Sequence, residues 1–255
     1  MECRMWNAEC RESPKTQIQN QKYPHIPHTT FDRRMYTFPM RVFQPDRYLL
    51  SRFVEKNAKL LTGHLLDVGG QDGKRYRGYF DHVKKYTVLD PGKEYKPDIV
   101  ASAEAMPLPD ASIDSILCTE VLMDVFEVKK AISEMARVLK SGGHLLATVS
   151  FMGPLCDEPH HYWRFTPYSL KKLLAPFFEE IRIEHRGGFR LQRAQNWIRY
   201  WINRLGLYKR PLLGRLFSLV SFIRFKLASW GDAHDKSNAN KGFAIGYNII
   251  AKRKR

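Results

Sequence analysis

The chain has 255 residues, of which 44% are hydrophobic and 13% aromatic, so it can bury a full core and is not a disordered chain. Its formal net charge is +16 at pH 7. The four cysteines, Cys3, Cys10, Cys118 and Cys156, form no Cys-x-x-Cys pair, so the sequence signals neither a zinc site nor a disulfide framework. Reduced thiols in the cytoplasm are therefore expected.

Residues 1–45 are predicted to be an N-terminal extension that is partly flexible. Gln, Asn, Pro, His and Lys recur in residues 1–30 without periodicity. Charges such as Glu2, Arg4 and Glu9 leave no apolar core for a secretory signal. After Pro45 and Asp46, apolar residues at helical spacing predict a helix that leads into the core.

Residues 65–73, Leu-Leu-Asp-Val-Gly-Gly-Gln-Asp-Gly, are predicted to be a buried strand that ends in a glycine-rich turn. Such a turn is typical of a parallel strand that leads into a helix across a cofactor. Gly69, Gly70 and Gly73 let the backbone approach a ligand closely. Their spacing does not match the Gly-x-Gly-x-x-Gly dinucleotide fingerprint.

Three further motifs follow in order. Residues 86–90, Tyr-Thr-Val-Leu-Asp, predict a second strand ending in an acid, and a carboxylate there commonly accepts hydrogen bonds from both ribose hydroxyls. Residues 98–122 contain an Ala-Glu-Ala-Met-Pro-Leu-Pro loop and an Ile-Asp-Ser-Ile strand. Residues 134–149 predict a helix, a Ser-Gly-Gly stop and an apolar strand. The predicted strands, with helices between them, are 64–68, 86–90, 98–101, 113–118, 143–150, 179–185 and 243–251.

In this order and spacing, the four motifs resemble the class I S-adenosylmethionine-dependent methyltransferases. The resemblance covers about residues 60–185 and a final strand near 243–252. It implies an α/β, Rossmann-like fold, with a seven-stranded, mostly parallel sheet, helices on both faces and an antiparallel last strand. The implied methyltransferase domain comprises residues 46–192 plus 240–255, and the implied cofactor is S-adenosylmethionine.

The resemblance also implies which residues bind the cofactor, at the carboxyl ends of the strands. Asp67 and the backbone of Gly69 would face the methionine end, and Asp90 would hold the ribose. Residues 102–104 stand where the family contacts the adenine edge. The implied cofactor-binding residues are Asp67, Gly69, Gly70, Gly73, Asp90, Ser102, Ala103, Glu104 and Cys118.

The chain departs from the family pattern at three places. Gln71 stands where the family usually has glycine, and Ser102 stands where it usually has Asp. Met123-Asp124 replaces a frequent Glu-His. These departures motivate a competing class of function, a non-catalytic, membrane-bound scaffold that keeps the fold.

The loop after the fifth strand, residues 151–166, is the expected acceptor site. His160 is the first candidate for a general base and His161 the second, because histidine titrates near neutral pH, with Asp124 as a third catalytic candidate. Alternatively, the two histidines hold the loop or bind substrate without taking a proton. Tyr162 and Arg164 are predicted to contact substrate, and a structural ion pair is the alternative for Arg164. Cys156 with the histidines is an incomplete ligand set, so no metal is predicted.

The carboxyl-terminal part of the chain is strongly basic. Residues 151–255 hold 20 Lys and Arg but 7 Asp and Glu, and no acid lies between His185 and Gly231. Residues 193–239 are predicted to be a basic, amphipathic helical insertion, with 193–230 lying on an anionic membrane. The alternatives are a helical cap over the active site and, less favoured, a nucleic-acid surface.

The sequence thus predicts methyl transfer to an oxygen of a sugar or lipid-linked glycan precursor at the inner membrane face. The stretch Pro159-His-His-Tyr-Trp-Arg-Phe-Thr-Pro167 resembles a subgroup associated with polysaccharide pathways, which favours that acceptor. RNA and other small molecules remain alternative acceptors. The expected location is cytoplasmic and peripheral to the membrane, and the sequence leaves the oligomeric state open.

Overall fold

The computed structural model describes residues 42–156 and 158–255, so most of the predicted N-terminal extension lies outside the described residues. The helices are α1 (Pro45–Asn57), α2 (Val128–Val138), α3 (Pro167–Leu174), α4 (Phe189–Leu205), α5 (Pro211–His234) and α6 (Asn238–Lys241). The strands are β1 (His64–Val68), β2 (Lys85–Asp90), β3 (Ile99–Val100), β4 (Ile113–Thr119), β5 (Leu139–Ser150), β6 (Phe178–Arg186) and β7 (Gly246–Arg253).

The strands form one seven-stranded sheet in the order β3-β2-β1-β4-β5-β7-β6. Strands β1 to β5 pair in parallel, and β7 is antiparallel to both of its neighbours. The mostly parallel sheet with an antiparallel last strand is therefore confirmed. The strand order reverses between β1 and β4, which is where open α/β sheets bind ligands.

Apolar clusters cover both faces of the sheet. On one face, α1 packs Leu50, Phe53 and Val54 against β1 and β4, and this cluster includes Leu65 and Leu117. On the other face, α2 and α3 pack against a larger cluster formed by β1, β4, β5 and β7. Alternate residues of the central strands are thus buried on opposite faces, as the strand period of two requires.

The prediction of a helix between every pair of strands is wrong for the first three connections. Only short 3-10 turns, Arg77–Tyr79 and Lys93–Tyr95, occur between β1 and β3, and no helix links β3 to β4. The first connection contains Gly70, Gly73 and Gly78, and glycine weakens a helix. The second begins with Pro91-Gly92 and the third contains two prolines. Proline disfavours a helix because it lacks the backbone N–H and its ring clashes with the preceding turn.

Two strands begin three or more residues away from their predicted first residue. Strand β5 begins at Leu139 rather than at residue 143, because Leu139 pairs with Ile113 across a bulge and the glycines continue the strand. Strand β7 begins at Gly246 rather than at residue 243, after a turn that follows α6. Helix α3 is capped by Thr166, whose Oγ1 accepts from the Ser169 N–H at 3.2 Å ahead of Pro167.

Helices α4 and α5 form an antiparallel pair that packs on α1. Cluster residues of α4, Ile198 and Ile202, contact Val42. The Asp232 carboxylate of α5 accepts the N–H groups of Gly188, Arg190 and Leu191, each at 3.0 Å, and so caps the start of α4. The helical segment therefore begins at Phe189, four residues before the predicted boundary at 193. The division into a domain and an insertion stays a prediction.

Candidate functional site

The glycine turn after β1 lies at the reversal point of the sheet. Gly69 has φ +72°, and its N–H donates to Leu89 O at 2.7 Å. A Cβ at Gly69 would collide with Val121, and a Cβ at Gly70 would collide with the Asp67 carboxylate. Glycine is therefore required at both positions, and the turn keeps backbone exposed beside Asp67.

Asp67 is the most perturbed acid of this turn. It is 2% exposed, its Oδ2 accepts the Tyr86 hydroxyl at 2.5 Å, and its Oδ1 has no hydrogen-bond partner among residues 42–156 and 158–255. Burial raises the pKa of Asp67 to about 7, although the Tyr86 hydrogen bond opposes the shift. A cation that reached Oδ1 would stabilise the charged carboxylate and satisfy its unpaired oxygen.

Asp90 ends β2 and is held by two backbone groups. Its Oδ2 accepts the Gln71 N–H at 3.0 Å, and its Oδ1 accepts the Gly92 N–H at 2.8 Å. Burial raises the pKa of Asp90, while these two hydrogen bonds lower it. A carboxylate oxygen can accept two hydrogen bonds, so the side chain is oriented and still has acceptor capacity for a diol.

Gln71 explains how a side chain fits where the family has glycine. Its φ is +54°, a left-handed conformation that a non-glycine residue adopts at a modest cost in energy. The backbone thus keeps the conformation that a glycine would take. The cost of the departure is therefore confined to the backbone conformation of this one residue.

The loop after β3 is organised by its own side chains. The Ser102 hydroxyl accepts the Glu104 N–H at 3.2 Å, and Glu104 Oε1 accepts the Glu127 N–H at 2.8 Å. Ala103 is buried at 5% exposure. Glu104 thereby joins this loop to the start of α2, and the predicted contact of residues 102–104 with an adenine edge stays a prediction.

Cys118 lies on β4 directly beside Val68 at the carboxyl end of β1. Its side chain is fully buried within the larger apolar cluster, and burial raises the pKa of its thiol. The thiol is therefore protonated and packs as a small apolar group. The backbone of this strand end is what remains to approach a cofactor.

The sequence analysis did not identify a buried arginine that lies, like the acids above, at the carboxyl end of a strand. Arg186, at the end of β6, is 2% exposed and contacts Asp46 of α1 at 2.7 Å and Glu120 at 2.8 Å. Asn248 Oδ1 accepts from it at 3.2 Å. Glu120 follows β4 and has φ +58°. The sequence signal was Arg186 itself, the first of the basic residues after His185, but its carboxylate partners are distant in sequence.

The predicted acceptor loop, residues 151–166, contacts the loop after β4 through residues that are predicted to be catalytic. His161 Nδ1 lies 3.3 Å from Asp124 Oδ1 and 3.2 Å from Cys156 Sγ. The His161 side chain is 2% exposed. The backbone N–H groups of Tyr162 and Trp163 both donate to Met123 O. The structure therefore brings Asp124 and His161 together, in contacts that fasten one loop to the other.

His160 lies on the exposed side of this loop. Its Nδ1 is 2.9 Å from the Tyr162 hydroxyl, and Tyr162 packs edge-on against Phe126. The Trp163 indole donates to Val125 O at 3.0 Å. An accessible histidine and a partly exposed tyrosine thus stand side by side above the end of β4.

Arg164 organises the acceptor loop from within. Its guanidinium donates to four oxygen atoms, Ser150 Oγ, Phe151 O, Gly153 O and Pro154 O, at 3.0–3.5 Å. These acceptors are neutral, so the ion pair considered as an alternative is absent among the contacts of the described residues. Its predicted contact with substrate stays a prediction.

Metal-ligand clusters and membrane-spanning helices are both absent from residues 42–156 and 158–255. No group of three or more His, Cys, Asp or Glu side chains in this part of the chain is arranged to hold a metal ion. None of its helices combines the length and the apolar character needed to cross a bilayer.

Residues 66–147 match the family model described as a methyltransferase domain. A segment of 72 residues is 35% identical to a ubiquinone/menaquinone biosynthesis C-methyltransferase from Pasteurella multocida, covering 28% of this chain and 26% of that protein. A segment of 92 residues is 36% identical to a demethylmenaquinone methyltransferase from Renibacterium salmoninarum, covering 32% and 39%. The matches thus span well under half the length of these relatives.

Solved structures share the fold over most of this chain. An S-adenosylmethionine-dependent methyltransferase from Archaeoglobus fulgidus aligns with a TM-score of 0.53 at 14% identity, covering 81% of this chain and 94% of that one. Phosphoethanolamine N-methyltransferase 2 from Haemonchus contortus, crystallised with S-adenosylmethionine, aligns at 0.51 and 16% identity, covering 82% and 52%. The [4+2]-cyclase SpnF aligns at 0.52 and 20% identity, covering 82% and 81%. The chain has the class I methyltransferase fold, which is also the fold of a cyclase.

Proposed function

We propose that this chain, whose residues 66–147 match a methyltransferase domain, transfers a methyl group from S-adenosylmethionine to an oxygen of a sugar or lipid-linked glycan precursor at a membrane surface. The observation that carries the cofactor assignment is Asp67. It is a buried acid with one unpaired oxygen, beside a glycine turn that admits no Cβ. An ammonium group would supply this oxygen with a hydrogen-bond donor of opposite charge.

The residues at the strand ends fit the parts of this cofactor. Asp67 would pair with the ammonium of its methionine end, and Asp90 would accept hydrogen bonds from the ribose hydroxyls. Gly69 and Gly70 keep side chains out of the space between these acids. When bound, S-adenosylmethionine supplies an electrophilic methyl group on a sulfonium, and the protein supplies orientation and exclusion of water.

We assign the general base to His160. This histidine is exposed, and its Nδ1 lies 2.9 Å from the Tyr162 hydroxyl. In the tautomer whose Nδ1–H donates to the Tyr162 oxygen, the ring is oriented and Nε2 can take a proton from a hydroxyl acceptor. His161 is buried against Asp124, which favours a positioning role for this pair. In this scheme the two adjacent histidines have different tasks.

The membrane setting is supported by an exposed apolar face on α5. Six large side chains at helical spacing are 51–79% exposed, and they are Leu212, Leu216, Leu219, Ile223, Leu227 and Trp230. The basic residues Arg215, Arg224 and Lys226 lie on the same helix. Apolar groups that insert at an interface, flanked by cations that meet anionic lipids, are typical of a helix lying on a membrane.

A ring carbon of a quinone precursor is the second candidate acceptor. Two of the relatives described above are a ubiquinone/menaquinone biosynthesis C-methyltransferase and a demethylmenaquinone methyltransferase, and a lipid-soluble ring would also be met at a membrane surface. The matched segments cover 28% and 32% of this chain, so they support the cofactor half of the site more than the choice of acceptor.

Calorimetric titration with S-adenosylmethionine tests the cofactor assignment. We expect micromolar binding to the wild type, loss of at least tenfold in Asp67→Asn, and little change in Asp72→Asn, an exposed acid of the same turn that pairs with Lys74. If the folded wild-type protein does not bind, the enzyme proposal fails. A non-catalytic scaffold would then be favoured.

Transfer of a labelled methyl group tests the acceptor. The protein is incubated with labelled cofactor and, separately, lipid-linked sugars, a demethylated quinone precursor and RNA. Label that follows the lipid-linked sugar fraction supports the proposed reaction. Label on the quinone selects the second candidate, and label on RNA contradicts the membrane setting.

A further inference from the structure

We propose that the cleft between α4 and α5 binds the phosphate headgroup of an anionic lipid. The cleft has a volume of about 490 Å³ and is lined by Arg190, Arg193 and Arg224, with Trp197 and Leu227 among the other lining residues. It is separate from the cofactor site at the strand ends. The inference rests on the membrane setting proposed above and does not depend on the identity of the methyl acceptor.

Helical spacing brings the three arginines to one place. Arg190, Arg193 and Trp197 are three and four residues apart on α4, so they share one face, and Arg224 and Leu227 share a face of α5. The Arg224 guanidinium lies over the Trp197 ring, 4.1 Å from its centroid. This stacking fixes the plane of one guanidinium at the cleft while its edge remains able to donate.

Carboxylates do not neutralise these arginines within the described part of the chain. None of its salt bridges involves Arg190, Arg193 or Arg224. Asp232 is engaged with the backbone N–H groups that begin α4. Asp235 is held chiefly by Ser237, and Arg190 makes a smaller contribution to lowering its pKa. The cleft therefore has a surplus of positive charge and bidentate donors, which suits a phosphate.

The cleft adjoins the exposed apolar face of α5, and this continuity selects a lipid as the occupant. Leu227 belongs both to the cleft lining and to that face, and it is 65% exposed. Trp230 lies three residues further along the helix and is equally exposed. A helix that inserts these side chains among acyl chains would bring the three guanidinium groups to the depth of the phosphates.

Vesicle co-sedimentation of the full chain tests this site. The probes are phosphatidylcholine vesicles that contain either phosphatidic acid, whose phosphate is terminal, or phosphatidylglycerol, matched for surface charge. The test variant is the triple change Arg190→Gln, Arg193→Gln and Arg224→Gln. The control removes the same charge from exposed positions on other helices, by Lys129→Gln, Lys130→Gln and Lys172→Gln. Arg224→Lys keeps the charge but removes the planar fork.

We expect the wild type and the control to bind phosphatidic acid vesicles at least fivefold more tightly than charge-matched vesicles. The triple variant should lose this preference, and Arg224→Lys should lose part of it, while S-adenosylmethionine binding stays unchanged in all of them. Equal losses in the control and the triple variant would overturn the site in favour of unspecific attraction. Tight binding of inorganic phosphate without vesicles would overturn the choice of a lipid.

Discussion

The backbone N–H of Gln71 donates to Oδ2 of Asp90 at 3.0 Å, so the turn after β1 is bonded to the tip of β2. Gln71, where the sequence departs from the methyltransferase pattern, therefore orients the acid that is predicted to hold the ribose. This hydrogen bond uses the main chain, and the side chain of residue 71 is not needed for it. The departure at this position is compatible with a cofactor site.

Replacing Gln71 with glycine should leave the site functional. The variant removes the cost of φ +54° in the folded state but makes the unfolded chain more flexible, so we expect a change in the free energy of unfolding within about 1 kcal/mol. Cofactor affinity should stay within threefold of the wild type. Gln71→Val should be less stable, because a β-branched residue tolerates this conformation poorly. Urea unfolding and calorimetry measure both effects.

Asp67 should make the stability of the ligand-free protein depend on pH. Since burial raises its pKa from 3.8 to about 7, the folded state holds this proton more tightly than the unfolded state. The resulting stabilisation is fully present below about pH 4 and is lost as the pH rises to about 7, on the order of 4 kcal/mol in total. Asp67→Asn should lack this dependence. Urea unfolding of both proteins at pH 5 and pH 8 measures this dependence. An equal change in unfolding free energy between the two pH values in the wild type and in Asp67→Asn would contradict the assignment.

Arg186 should be essential for the stability of the sheet edge. In Arg186→Met, Asp46 and Glu120 would lose the cation that both contact, and we expect a loss of about 3–5 kcal/mol. Arg182→Met, at an exposed residue of the same strand that pairs with Glu184, should cost less than about 1 kcal/mol. Chemical unfolding monitored by circular dichroism compares the two. Similar costs would mean that the buried contacts contribute little.

The two histidines of the acceptor loop should respond differently to substitution. His160→Gln should lower kcat by about 100-fold or more, as expected for loss of a general base, with little change in the unfolding free energy. It should also remove the ionisation on the acid side of the pH–kcat profile. His161→Gln and Asp124→Asn should instead destabilise the loop and raise KM. A normal pH profile in His160→Gln would exclude the base role.

The sheet could be predicted from sequence because its strands are short apolar runs bounded by Gly, Pro and Asp. Strand β1 begins and ends where the pattern indicated, at His64 and Val68. The prediction of a helix between β1 and β2 was wrong because this connection contains Gly70, Gly73 and Gly78, and glycine destabilises a helix. The connection between β1 and β2 therefore forms only the short 3-10 turn Arg77–Tyr79.

The site could be predicted only where its residues are close in sequence. Asp67 and Gly69 belong to one motif, so they were found together. The contacts of Arg186 with Asp46 and Glu120 join residues that are 140 and 66 positions apart, and no local pattern contains them. Likewise, the different roles proposed for His160 and His161 depend on which ring is buried, and adjacent positions in a loop do not reveal that.

Asp232 limits where the α4–α5 helix pair can be cut for transplantation. This acid of α5 caps the start of α4, and Asn240 Oδ1 accepts the Phe189 N–H at 2.8 Å. The first turn of α4 therefore depends on residues that follow most of α5 in the sequence. A graft cut at residue 230 would carry every exposed apolar side chain of α5 and still leave α4 uncapped. A graft that keeps both caps therefore includes residues 188–240, and these limits follow from hydrogen bonds rather than from hydrophobicity.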